Sequence, residues 1–180
     1  MQSPLAVLDR DGVINRESAE FVKSAEEWQA LPGSLDAVAR LHGAGWTVVV
    51  ATNQSGLARR KFSYRDLAAM HAKFERALAT RGARIHGIFF CPHGPDDGCG
   101  CRKPLSGLYD QIGRHLHRSV EGAMCIGDSR RDLTAATAAG GVPILVRTGN
   151  GRKTEEQLPS GHDIAVYDDL KSAVDVLLRA

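Results

Sequence analysis

Short runs of apolar and β-branched residues alternate along the chain with longer stretches whose apolar positions recur every three or four residues. This is the pattern of βαβ units that build a parallel sheet. The first predicted strand is Leu5 to Leu8. A helix follows from about Ser34 to His42, with Leu35, Val38, Ala39 and Leu41 on its apolar side and Gly43 and Gly45 closing it. Thr47 to Ala51 predicts a buried strand, and Ser63 to Thr80 a longer helix, with Ser63 as its N-cap and Leu67, Met70, Phe74 and Leu78 at helical spacing. Further strands are expected at Ile85 to Phe90, Ala123 to Ile126, Pro143 to Val146 and Ile164 to Val166. Further helices are expected at Ser106 to Leu116, Arg130 to Ala139 and Asp169 to Leu178, and a mobile Gly-rich turn at Thr148 to Arg152. No repeat, linker or low-complexity tract interrupts the series. Residues 1–180 therefore predict one doubly wound, Rossmann-like parallel-sheet α/β domain, whose ligands gather at the carboxyl ends of the strands.

Composition agrees with a globular fold. Hydrophobic residues make up 43% and charged residues 24%, which excludes a disordered scaffold. A formal net charge of +2 gives no support to a nucleic-acid or membrane partner. No apolar run approaches the roughly 18 residues of a membrane span. Asp9, Arg10 and Asp11 interrupt the place where a signal sequence would need its apolar core, so a cytoplasmic protein is expected. Nothing in the pattern marks an exposed apolar face, and a monomer is the expectation.

The strand ends carry the chemistry. The first predicted strand runs into Asp9-Arg10-Asp11-Gly12, two carboxylates close enough to repel unless a hard cation such as Mg²⁺ lies between them. The second runs into Thr52-Asn53-Gln54-Ser55-Gly56, hydroxyls and amides suited to phosphate oxygens. Lys103 precedes Pro104, and the fourth strand runs into Gly127-Asp128-Ser129-Arg130-Arg131-Asp132. Paired acids, a hydroxyl, a lysine and a second acid pair at one sheet edge suit Mg²⁺-assisted phosphoryl transfer to a carboxylate.

Cys91, His93, Cys99 and Cys101 offer three thiols and an imidazole within eleven positions, a ligand set for a closed tetrahedral Zn²⁺ site. The segment holds Pro92, Gly94, Pro95, Gly98 and Gly100 and little apolar material, so the metal would do the folding. Because Arg102 and Lys103 follow directly, the loop 91–101 would also position them. Cys125 lies in a predicted strand and reads as an inert core residue.

These motifs resemble those of the haloacid dehalogenase superfamily of phosphohydrolases. The resemblance implies that Asp9 is the nucleophile and Asp11 the acid and base, and that Asp9, Asp128 and a backbone carbonyl at Arg10 or Asp11 hold Mg²⁺. It further implies that Thr52 and Lys103 bind the transferring phosphoryl group and that Asp132 supports Lys103 or the metal. Between the motifs there is no room for a large cap domain. Short, zinc-bearing members include the D-glycero-D-manno-heptose 1,7-bisphosphate 7-phosphatases, which serve lipopolysaccharide biosynthesis, and the histidinol-phosphate phosphatases. The run from Thr52 to Phe62 is similar to the heptose family's TNQSGIARGKF-type segment, and Val146-Arg147-Thr148-Gly149 to its VRTG element. The five-residue gap between His93 and Cys99 is common in the histidinol branch, and Ser129 stands where several heptose enzymes carry a Lys. In the heptose reading Asn53, Gln54 and Ser55 join the phosphate-binding set. Arg59, Arg60, Lys61 and Arg102 supply charge for the second phosphate of a small sugar bisphosphate.

Overall fold

The computed structural model describes residues 2–179, so the two end positions of the expected 1–180 unit lie outside it. Six parallel strands form one sheet in the order β3-β2-β1-β4-β5-β6. They are β1 (Leu5–Leu8), β2 (Thr47–Asn53), β3 (Ile88–Cys91), β4 (Met124–Gly127), β5 (Val142–Val146) and β6 (Ala165–Tyr167). The helices are α1 (Ser34–Gly43), α2 (Tyr64–Ala79), α3 (Gly107–Leu116), α4 (Arg130–Ala138), α5 (Gly151–Glu156) and α6 (Leu170–Leu177).

β1 is buried along its whole length and paired on both sides, which explains why it reads as a continuous apolar run. Residues alternate across the sheet, so Ala6 and Leu8 join the core on one face while Leu5 and Val7 join the other. The first face packs against α1, α2 and α6 through Leu41, Phe74 and Val174, and the second against α3 and α4 through Ile112 and Ala136. α2 starts where its sequence says it should. Ser63 Oγ accepts from the Asp66 N–H at 3.2 Å and Asp66 returns a bond to the Ser63 N–H at 2.8 Å.

Most boundaries fall within one residue of expectation, and three places differ by more. β2 runs two residues further, to Asn53, because the adjoining β3 is displaced toward Cys91 and pairs Thr52 with Phe90 and Asn53 with Cys91. β3 begins at Ile88, three positions later than expected, since His86 and Gly87 meet β2 only through isolated bonds. The expected mobile turn at Thr148 to Arg152 instead starts α5, where Gly151 abuts the Val146 carbonyl so closely that a Cβ would lie 1.7 Å from it. No helix among the described residues is long and apolar enough to cross a membrane.

Candidate active site

The carboxyl ends of β1, β2 and β4 open on a cavity of about 330 Å³. Asp9, Asp11, Thr52, Asn53, Gln54, Ser55, Arg59, Arg102, Lys103, Asp128 and Asp132 all line it, so these predicted substrate and Mg²⁺ residues reach one place. Arg60 and Lys61, expected to add charge there, do not line it; the chain turns left-handed at Arg60, with φ of 54°, and both side chains are exposed.

Lys103 is the hub. Its ammonium is buried, donates to Asp9 Oδ1 at 3.0 Å and the Ala51 carbonyl at 2.7 Å, and forms an ion pair with Asp132 Oδ1 at 2.5 Å. Burial alone would favour the neutral amine, but the Asp132 and Asp9 carboxylates outweigh it and hold the lysine above its usual range. Asp132 is correspondingly committed. Its second oxygen accepts from the Ser129 N–H at 2.9 Å and the Ser129 hydroxyl at 2.5 Å, capping α4. Of the two roles open for Asp132 in the sequence, its contacts are those of support for Lys103.

Asp9 and Asp128 remain as the pair that faces a cation, with oxygens of Asp9, Asp128 and Asp132 all within 4.8 Å of one another. Burial raises Asp9 to about 7, against the pull of Lys103 and with the repulsion of Asp132 and Asp11. Burial and then the repulsion of Asp9 and Asp132 raise Asp128 to about 8, with no basic side chain bound to it among the described residues. Such a pair fits a hard divalent cation. Its backing is tight: the Asn150 N–H donates to Asp128 Oδ2 at 2.8 Å, and a Cβ on either Gly12 or Gly149 would fall 2.1 Å from that oxygen. Both glycines have positive φ, at 82° and 57°. The Arg10 carbonyl, one of the candidate metal ligands, accepts from the N–H groups of both Ile14 and Asn15 and is turned into the following turn. Among the described residues no hydrogen bond reaches the Asp11 carbonyl.

Asp11 is held differently. Arg10 donates to it from Nε and Nη2, Asn15 Nδ2 at 2.8 Å and Gln54 Nε2 at 2.9 Å. Burial disfavours its charge, yet Arg10 and these donors more than compensate and hold the carboxyl below the usual range. Gln54 also donates to Thr52 Oγ1 at 2.9 Å, which leaves the threonine proton free to point into the cavity. Gln54 was expected on phosphate; it is spent on Asp11, Thr52 and Arg10. Asn53, also expected on phosphate, gives its side-chain oxygen and one N–H to the Lys103 backbone, at 3.1 and 3.0 Å.

The second cluster is Cys91, His93, Cys99 and Cys101. Cys91 Sγ lies 3.6 Å from both His93 Nδ1 and Cys99 Sγ, and His93 Nδ1 lies 3.3 Å from Cys101 Sγ. A tetrahedron with metal bonds of roughly 2.0 to 2.3 Å has edges of about 3.3 to 3.8 Å, so these three distances match its edges, and all four ligand atoms lie within 4.8 Å of one another. Arg102 Nη1 donates to the His93 carbonyl at 3.2 Å, tying the cavity's arginine to this loop.

The sequence did not single out Arg131 or Asn150 as cavity residues. Arg131 was legible in principle, being on the first turn of a helix that starts at the site, whereas Asn150 comes from a loop that no periodicity places. Glu17 and Asn150 meet side chain to side chain across the cavity's rim.

A HAD-hydrolase-like family matches residues 100–173. A D-glycero-β-D-manno-heptose-1,7-bisphosphate 7-phosphatase of Bordetella bronchiseptica is 56% identical over 97% of this chain and 98% of its own length. One of the same name from Pseudomonas aeruginosa is 47% identical over 99% of this chain and 100% of its own. The B. bronchiseptica D,D-heptose 1,7-bisphosphate phosphatase crystallised with magnesium and phosphate superposes with a TM-score of 0.93, covering 98% of each chain at 56% identity.

Proposed function

As a member of the D-glycero-β-D-manno-heptose-1,7-bisphosphate 7-phosphatase family, the chain is, we propose, a Mg²⁺-dependent, zinc-stabilised phosphatase that removes the 7-phosphate of that sugar bisphosphate, in the β anomer its relatives are named for, on the way to lipopolysaccharide heptose. The observation that carries the bisphosphate is a trio of guanidiniums. Arg59, Arg102 and Arg131 converge on the cavity, and none has a carboxylate within ion-pair distance among the described residues. Burial, and then the charge of Arg131 and of Arg59, lower Arg102 from its usual range, so the three press on one another. An anion relieves that pressure. The ammonium of histidinol phosphate would worsen it.

In this reading Asp9 attacks phosphorus as a carboxylate, the bond to the sugar oxygen breaks, and that oxygen takes a proton from Asp11. Asp11 then removes a proton from water, which attacks the phosphoryl group and frees Asp9. Thr52 and Lys103 bind the phosphoryl oxygens during both steps, and Ser55 lines the same wall. Mg²⁺ held by Asp9, Asp128 and the Asp11 carbonyl would offset the charge of the carboxylates and of the phosphoryl oxygens. Zn²⁺ on Cys91, His93, Cys99 and Cys101 would hold the loop 91–101 in place. The same reading makes residues 1–180 one domain of a cytoplasmic monomer with a small-molecule substrate and no nucleic-acid or membrane partner.

The test is a comparison of kcat/KM for the heptose bisphosphate and for histidinol phosphate in the presence of Mg²⁺. Preference for the bisphosphate is expected; preference for histidinol phosphate would overturn the assignment.

A further inference from the structure

We propose that His71 is a positioning residue for the reaction: from α2, outside the cavity, it orients Asp11 through the buried guanidinium of Arg10. The proposal rests on the acid and base role given to Asp11 above.

Arg10 lies between the two acids in sequence, yet it is only 1% exposed and does not reach solvent. Its Nε and Nη2 bond to Asp11, and Nη2 also donates to Gln54 Oε1 at 3.2 Å. The far end of the fork, Nη1, lies 3.4 Å from His71 Nε2. A guanidinium has donors only, so the imidazole nitrogen facing it must be the acceptor, and the ring proton resides on Nδ1. Burial, then the charge of Arg10, keep the ring neutral, pushed down to about 4. His71 is itself fixed: its ring meets Phe90 of β3 edge-on, with centroids 6.0 Å apart.

The geometry makes the guanidinium a rigid lever. It is planar, so the contact at Nη1 sets the plane in which Nε and Nη2 present their protons to Asp11. Without an acceptor at His71, one end of a buried cation is unpartnered and the plane can pivot. Asp11 would then lose the alignment that proton transfer needs, while Asp9, Lys103 and the metal carboxylates stay in place. Chain separation makes the link invisible in the sequence, since the two residues are 61 positions apart.

The experiment compares a sugar phosphate that the protein turns over with p-nitrophenyl phosphate, whose leaving group needs little protonation, in His71→Leu and His71→Gln. His71→Leu removes the acceptor. His71→Gln returns one at nearly the same reach. The expected result for His71→Leu is a kcat on the sugar phosphate lower by about tenfold, a fraction of what complete loss of an acid-base group removes, with KM within about twofold. The first-turnover release of p-nitrophenolate should be almost unaffected, and His71→Gln should recover to within about threefold. Equal losses on both substrates, no loss on either, or no recovery in His71→Gln would overturn the proposal, and the ratio does not depend on how much protein is folded. If His71→Leu cannot be purified, Arg10→Lys, which keeps the charge and loses the fork, is held to the same ratio. An Asp11→Asn control that leaves the ratio at its wild-type value would remove the acid-base premise itself; a normal control beside an unchanged His71→Leu would remove the proposal alone.

Discussion

Asn53 and Lys103 hold each other by two reciprocal hydrogen bonds: the Asn53 amide donates to the Lys103 carbonyl at 3.0 Å, and the Lys103 N–H donates to the Asn53 carbonyl oxygen at 3.1 Å. This pair fastens the end of β2 to the exit of the cysteine loop. Asn53→Ala removes both bonds, each with a net worth of roughly 1 kcal/mol, and leaves the Lys103 ammonium less well placed. The expected outcome is a kcat/KM lower by about tenfold or more with zinc content unchanged, read from steady-state kinetics and metal analysis on one preparation.

Only Arg102 separates Cys101, the last residue of the cysteine cluster, from Lys103. Metal analysis should find one zinc per chain. Cys99→Ser should lose most of it, melt at lower temperature and lose activity that added Mg²⁺ does not restore. A zinc-loaded, fully active Cys99→Ser protein would show that the four atoms do not form one site.

Removal of Mg²⁺ should reveal the Asp9 and Asp128 pair as a pH-dependent weakness. Their folded values, about 7 and about 8, stand above the ordinary 3.8, so the folded state binds more protons through the intervening range and stability falls as pH rises across it. His71, lowered from 6.5 to about 4, acts in the opposite direction, and only below 6.5. Above 6.5 the two raised carboxylates give the falling slope, with the lowered Cys99 thiol as the opposing group. Thermal melts of metal-free protein should fall from pH 6.5 to 8.5, and the gain from Mg²⁺ should be larger at 8.5. A gain that shrinks with pH would contradict this.

Arg131 faces the cavity without an acidic partner among the described residues. Arg131→Gln should raise KM for the bisphosphate by about tenfold, as expected for loss of one charge-assisted contact of roughly 1.5 to 3 kcal/mol. KM for a sugar monophosphate should change little. An equal effect on both substrates would place the residue on the transferring phosphate instead.

Arg60 stands in the left-handed region, at φ of 54°, where the family segment TNQSGIARGKF has glycine. Left-handed backbone costs a residue with a side chain roughly 1 to 2 kcal/mol, partly offset by the greater unfolded-state entropy of glycine. Arg60→Gly should therefore raise the melting temperature by about 1 to 4 °C. Activity should be retained, since Arg60 does not line the cavity.

Most of the architecture was legible because it depends on local pattern. The apolar run at Thr47 to Ala51 and the Ser63 cap needed only neighbours in sequence, and both elements formed there. So was the composition of the site, because strand ends in such a sheet point the same way. What the sequence did not reveal was the division of labour among polar residues. Asn53 and Gln54 look like phosphate ligands, being an amide pair beside a glycine-containing turn. They are spent instead on partners 50 and 43 positions away, Lys103 and Asp11. Spacing reports which side chains share a face, and only folding decides which of them remain free.

The central place of β1 carries a consequence for how substrate preference can drift. Asp9 and Asp11 follow a strand flanked by neighbours on both sides, whereas Arg59 and Arg102 sit on surface connections next to β2 and β3, toward one margin of the sheet. Chemistry and recognition thus occupy modules with different tolerance to change. Grafting new sequence into 55–60 and 94–98 should retarget the protein to other phosphate esters while the bond-breaking apparatus stays intact, which makes the chain a natural starting point for directed evolution.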